Sequence, residues 1–246
     1  MMEKLERRAV LSCLTCGGLA VLGGDPVEGY EVITCVVCGA VRRKDQESEP
    51  TKVHENEQRV YRKVNKKANN RDLSHEDEDD KNARCAELFF INMVTKYDKS
   101  KKKLTAKSID VVYNPKLISN FEKKEEEFRS KSIPLTKVFS FHGTAKENID
   151  SILQNNFDMS KRAGQAYGFG IYFSENPLVS VPYTRGCNSL IVCQILLGKS
   201  TKKGTAPDKP PEGYNSTEIE KDKDGNCAVI VIPNVDQILP VAVINF

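Results

Sequence analysis

A chain of 246 residues with 39% hydrophobic and 29% charged residues carries enough apolar material for one good-sized domain and a small one. Its net charge of +3 excludes a global basic field, so any nucleic-acid contact has to come from a local patch. The apolar stretch at residues 9–22 is broken by Cys13, Thr15, Cys16 and a glycine pair, which excludes a membrane span or a secretion signal there and implies an intracellular protein, nuclear or cytoplasmic, with reduced cysteines.

In chain order, residues 1–43 hold four cysteines in two pairs. Residues 44–82 have few large apolar side chains and long runs of charge, and are read as a flexible linker. Within it, Val60-Tyr61 and Val64 are expected to make one short helical turn. From residue 83 the pattern is that of a folded domain reaching 246. Ala86, Phe89, Phe90 and Met93 recur at helical spacing and predict a helix over 83–97. SIDVVY at 108–113 predicts a strand, and Asn114-Pro115 a break. A helix over 117–128 follows, with Leu117, Phe121 and Phe128 on one face. KVFSFH at 137–142 alternates as a half-buried strand does. Thr144-Ala-Lys-Glu147 fits a capping box, opening a helix with Ile149, Ile152 and Leu153 as its apolar stripe. Four further strands are predicted at 170–174, 190–198, 228–233 and 237–246, the last three rich in branched apolar residues and therefore well buried. Strands dominate the second half without regular strand–helix alternation, so the fold class is α+β.

Cys13-Leu-Thr-Cys16-Gly17 and Cys35-Val-Val-Cys38-Gly39 are two copies of C-x-x-C-G. The glycines let the backbone turn tightly and aim amides at the sulfurs. Four thiolates make a closed tetrahedral zinc site, which is structural because no position is left for water. The other cysteines, Cys85, Cys187, Cys193 and Cys227, lack this spacing and are read as ordinary thiols. Residues 13–43 resemble a zinc ribbon, a module that docks on proteins or nucleic acid. Arg42, Arg43 and Lys44 give it a small basic edge.

The stretch GQAYGFGIYFSEN at 164–176 fails as a phosphate cradle. It lacks the lysine of a Walker loop and the third glycine of a dinucleotide turn, and an apolar strand pattern rather than a helix follows. Taken with FSFHGT at 139–144, Ser180, Tyr183, the Gln237-Ile-Leu-Pro240 element and the opening segment VVYNPKLISNFEKK, it resembles the catalytic domain of the poly(ADP-ribose) polymerase family, the diphtheria-toxin-like ADP-ribosyltransferases. The resemblance runs from about residue 108 to the last residue. It implies the ADP-ribosyltransferase fold, split mixed sheets with flanking helices, and NAD as the donor substrate. By the same resemblance, Gly143 and Ser180 hold the nicotinamide amide, and Tyr183 and Tyr172 take the two faces of the ring. His142 bonds a ribose hydroxyl, and Thr144 and Phe173 line the cleft.

The family's catalytic glutamate aligns, counting back from Gln237, with Val229, so the triad reads His142, Tyr172, Val229. Valine cannot bond a ribose hydroxyl or stabilise a positive sugar. In this family that loss, with His and Tyr kept, accompanies transfer of a single ADP-ribose. Glu218-Ile-Glu220 is read as part of a solvated loop and Glu175 as a weaker substitute still. The expected function is a mono-ADP-ribosyltransferase acting on protein acceptors, the ribbon serving target or nucleic-acid docking. The alternative is an inactive module that binds NAD or ADP-ribose.

Overall fold

The computed structural model describes residues 10–12, 19–24, 31–35, 41–43, 61–67, 78–100, 103–161, 166–203, 209–220 and 227–246, some through the backbone alone. The chain divides into two compact units, Met1–Gln58 and Arg59–Phe246. Among the described residues, no helix is long and apolar enough to cross a membrane.

In the first unit, β1 (Val10–Ser12), β2 (Leu19–Gly24), β3 (Glu31–Cys35) and β4 (Val41–Arg43) form a four-stranded antiparallel sheet in chain order. One C-x-x-C-G lies in the sequence following β1, the other begins at the last residue of β3. Cys13, Cys16 and Cys38 lie outside the described residues, and Cys35 is described only by its backbone, which pairs with Ala20. Among the described residues, no group of three or more metal-binding side chains occurs.

The second unit is built on two sheets. Its elements, in order, are β5 (Arg62–Lys67), α1 (Glu78–Tyr97), β6 (Ser108–Tyr113), α2 (Pro115–Ser130), β7 (Lys137–Gly143), α3 (Lys146–Asn155), β8 (Ile171–Phe173), α4 (Pro177–Ser180), β9 (Ser189–Leu196), β10 (Ser200–Thr201), β11 (Ser216–Glu220), β12 (Cys227–Ile232) and β13 (Ile238–Asn245). A five-stranded antiparallel sheet has the order β5-β6-β13-β9-β7, and a four-stranded sheet the order β10-β11-β12-β8. The apolar run SLIVCQIL makes β9 a strand covered on both faces, as its nearly continuous burial requires. One face of the larger sheet (Ile191, Cys193, Ile195, Val243) packs with Ile171, Phe173, Ile230 and Ile232 of the smaller sheet and with Ile149, Ile152 and Leu153 of α3. The other face (Phe141, Leu190, Val192, Ile244) packs on Ala83, Ala86, Phe90 and Val94 of α1. The expected α+β class and the predicted helices are found, α1 starting five residues before residue 83.

Three local expectations fail. The helical turn expected around Tyr61 and Val64 is not found: residues 62–67 form β5, paired along β6 from Arg62↔Tyr113 to Lys67↔Ser108, and Val60 lies outside the described residues. β5 is therefore part of the sheet; residues 44–60 and 68–77 of the expected linker lie outside the described residues. Its charged composition hid it because an edge strand can keep lysines in water while its backbone pairs. Glu218-Ile-Glu220 belongs to β11 and not to a loop; it lies against β12 with Ile219 opposite Val229. Thr144 does not cap α3. The N-cap is Ala145, with no side-chain bond, and the Thr144 hydroxyl accepts from Asn148 Nδ2 at 3.1 Å.

Candidate active site

Among the described residues, the two sheets meet at one backbone bridge. Phe141 N donates to Ser174 O at 2.8 Å and Ser174 N to Phe141 O at 3.1 Å, joining β7 to the end of β8. Regular antiparallel pairing would continue with Gly143 opposite Tyr172. It does not. The Tyr172 carbonyl instead accepts from His142 Nδ1 at 2.9 Å. β7 remains in unbroken register with β9 from Lys137 to Gly143. Backbone groups alternate in direction along a strand, so the Gly143 N–H and C=O point the same way as those of Phe141, away from β9 and into the gap where the sheets part. The gap thus presents one donor and one acceptor on a residue with no side chain.

The segment 177–184 lies directly over Gly143. A Cβ at Gly143 would fall 1.9 Å from Ser180 O and 3.0 Å from Tyr183 Cβ, an approach only glycine allows. α4 starts at Pro177, and the Asn176 side chain accepts from Leu178 N at 3.0 Å. Ser180 is buried, and its hydroxyl donates to Phe141 O at 3.0 Å, so its lone pairs remain open to a ligand donor. Tyr183 is 66% exposed, an aromatic face held at the mouth of the gap.

Tyr172 stands on the opposite wall. Its hydroxyl donates to Gly168 O at 2.7 Å and accepts from Tyr167 N at 3.1 Å, tying the side chain to the glycine turn before β8. Gly168 and Gly170 have φ of 130° and 157°, and a Cβ on Gly170 would lie 2.6 Å from Ile232 O. Burial raises the Tyr172 pKa; the bond to Gly168 opposes this and the nearby Tyr183 adds to it. Tyr172→Phe is expected to destabilise the unit by about 1–3 kcal/mol by loosening the turn, since it leaves the buried Gly168 carbonyl short of a donor; urea unfolding checks it, and an unchanged midpoint would mean the hydroxyl positions nothing.

His142 sits between the sheets. Its ring meets Phe157 edge-on at 4.8 Å and Phe173 at 5.5 Å. Burial lowers its pKa to about 4, against the opposing bond to the Tyr172 carbonyl. Because a carbonyl can only accept, Nδ1 carries the proton of the neutral ring and Nε2 is the free acceptor. A depressed pKa favours the folded state only while the ring is neutral. This contribution is therefore complete above about pH 6.5 and declines as pH falls toward about 4. Denaturant melts across that window should show the decline, and His142→Gln should flatten it; an equal slope in the variant would assign the decline to other groups.

Val229 is buried and shares a sheet face with Tyr172: the register sets Val231 opposite Tyr172, and Val229 is two residues along the same strand. Glu218 lies opposite Ile230, whose side chain belongs to the inter-sheet core, so it is on the other face and does not replace a carboxylate at 229. Glu175, one residue past the bridge, has its pKa raised by burial, with Lys96 opposing and Glu218 adding to the shift. Phe173 is 2% exposed and backs the His142 ring, and Thr144 borders the gap just after Gly143. Thr144 O also accepts from Cys187 Sγ at 3.6 Å. Phe157 and the Gly168 carbonyl were missed by sequence reasoning. Phe157 looked like an ordinary apolar residue after a helix, and a backbone carbonyl leaves no residue-type signal.

The sequence model of the poly(ADP-ribose) polymerase catalytic domain matches residues 88–242. The match covers more than half of the chain, and the chain belongs to this family. It is also 29% identical over 104 residues to a probable poly [ADP-ribose] polymerase of Dictyostelium discoideum, a similarity covering 37% of this chain and 31% of that protein. The chain thus spans about a third of the length of that curated relative.

Proposed function

We propose that this protein is an NAD-dependent protein mono-ADP-ribosyltransferase. The observation that carries the proposal is the parting of β7 and β8, which frees the Gly143 amide and carbonyl between two tyrosines. A nicotinamide amide offers the complementary donor and acceptor, and aromatic faces grip a flat ring. In this reading Gly143 and Ser180 hold the amide, Tyr172 and Tyr183 flank the ring, and Nε2 of His142 accepts from a ribose hydroxyl. Thr144 and Phe173 complete the walls. The glycosidic bond to nicotinamide breaks with its electron pair leaving on the nicotinamide nitrogen. The acceptor nucleophile bonds the sugar carbon, and any proton it carries passes to water. Val229 supplies no carboxylate to activate a ribose hydroxyl as the next acceptor, so transfer stops after one unit.

Incubation of the purified chain with labelled NAD tests this. Label of single-unit size is expected on the protein itself or on added lysate proteins, and His142→Ala and Tyr172→Ala are each expected to abolish it. Long polymers would sink the single-transfer reading, and label persisting in both variants would sink the site. The buried Val229 favours a second reading, a module that binds NAD or ADP-ribose without turnover. NAD binding with no label from the wild type would select it.

For the first unit we propose one structural zinc held by Cys13, Cys16, Cys35 and Cys38, with the ribbon docking targets or nucleic acid. The repeated C-x-x-C-G and the two strand pairs around it support this. Elemental analysis of the intact chain should return one zinc, lost when the four cysteines are replaced.

A further inference from the structure

We propose that one end of the five-stranded sheet is a phosphate-binding surface for nucleic acid, carried by Lys67, Lys99, Lys103 and Lys107. Residues 99–107 contain five lysines and residues 61–67 four basic side chains, with no acid in either segment. Since the whole chain carries only +3, the rest of it is net acidic and this charge is local.

The fold brings the two segments together. Lys67 is the register partner of Ser108, and Lys107, the preceding residue, donates its N–H to Asn245 O at 2.7 Å. Asp98, 5% exposed, accepts from Ser100 N at 2.9 Å and Leu104 N at 3.4 Å. Leu104 and Ala106 pack against the core beside Phe90. The acid of β6 is used internally too, since Asp110 accepts from Asn65 and, at 3.4 Å, from Asn245 Nδ2. Lys67, Lys99, Lys103 and Lys107 are all exposed. Lys99 Nζ donates to Lys96 O at 3.0 Å, which holds its ammonium at the end of α1.

Edge protection explains only part of this charge. On β5 itself, Lys63 pairs with Asp150 at 2.7 Å and Lys66 with Asp80 at 2.8 Å. Lys99, Lys103 and Lys107 lie outside that edge strand. Lysine ammonium groups are compact point charges without a planar fork, suited to backbone phosphates rather than to base edges. Binding is therefore indifferent to sequence. A lipid surface also needs exposed apolar anchors, and the exposed large apolar side chains among the described residues, Ile91, Tyr183 and Tyr214, lie outside both segments.

The test is fluorescence anisotropy of the full chain with a labelled duplex of about 20 base pairs, against phosphatidylserine vesicles as comparison. Four phosphate contacts predict an affinity loss of about 100-fold between 50 and 200 mM salt. The combined variant Lys67→Gln, Lys99→Gln, Lys103→Gln, Lys107→Gln should bind at least about tenfold more weakly at low salt and lose most of the salt dependence. The corresponding Lys→Arg variant should keep both, and thermal melts of the two variants should match the wild type. Unchanged affinity and slope in the glutamine variant, absence of duplex binding, or tighter binding to vesicles than to duplex would each overturn the proposal.

Discussion

Gly143→Ala is expected to weaken NAD binding in the proposed nicotinamide slot by at least about 100-fold while leaving a folded protein. The added methyl would lie 1.9 Å from Ser180 O and 2.9 Å from Ser180 C, so the obstacle is backbone and no rotamer change relieves it. β7 cannot yield, because it is hydrogen-bonded to β9 along its whole length. Segment 177–184 must therefore move outward, taking Ser180 and Tyr183 with it. Misplacing such groups by about 1 Å costs on the order of 100-fold in a positioned reaction. Calorimetric titration should show an NAD affinity reduced by at least that factor, and labelled transfer should be undetectable. A cooperative melt with lowered midpoint separates loss of the slot from loss of the fold. Wild-type NAD affinity in the variant would refute the assignment of Gly143 to the nicotinamide slot. This substitution also probes ligand contacts made by backbone atoms, which truncation of a side chain cannot reach.

Gln237→Leu is expected to destabilise the second unit by about 2–4 kcal/mol without touching the site. Gln237 is 3% exposed, at the turn between β12 and β13. Its Nε2 donates to Leu196 O at 2.7 Å and to Asn215 O at 3.2 Å, joining the end of β9 to the start of β11. Leucine fills similar volume but leaves the buried Leu196 carbonyl and the half-buried Asn215 carbonyl short of a donor. Urea unfolding with an unchanged slope and a lowered midpoint checks this, and a change below about 0.5 kcal/mol would mean that the two carbonyls find other partners.

The long apolar segments were legible because burial leaves a trace in residue type. SLIVCQIL and CAVIVI read as covered strands, and Leu117, Phe121 and Phe128 as one helix face. β5 and β11 were not legible. RKVNKK and STEIE have the composition of solvated segments, and they are strands because a neighbouring edge satisfies their backbones. Residue type also misled at Thr144, where the hydroxyl found Asn148 before it found the helix end.

The sequence by itself determined the α+β class, the order of the motifs, the membership implied by FSFHGT and GQAYGFGIYFSEN, and the absence of a carboxylate at Val229. These are properties of residue identity and spacing. Only the tertiary structure decided why the site is open. The strands part after the Phe141–Ser174 bridge, His142 takes the carbonyl of Tyr172, and the amide of Gly143 is left facing the gap. It also decided that Glu218 and Val229 lie on opposite faces of one sheet and that Lys67 stands beside Lys107. The reason is the same in each case: strand register and face are set by pairing between distant segments, and no local pattern encodes a partner forty or a hundred residues away.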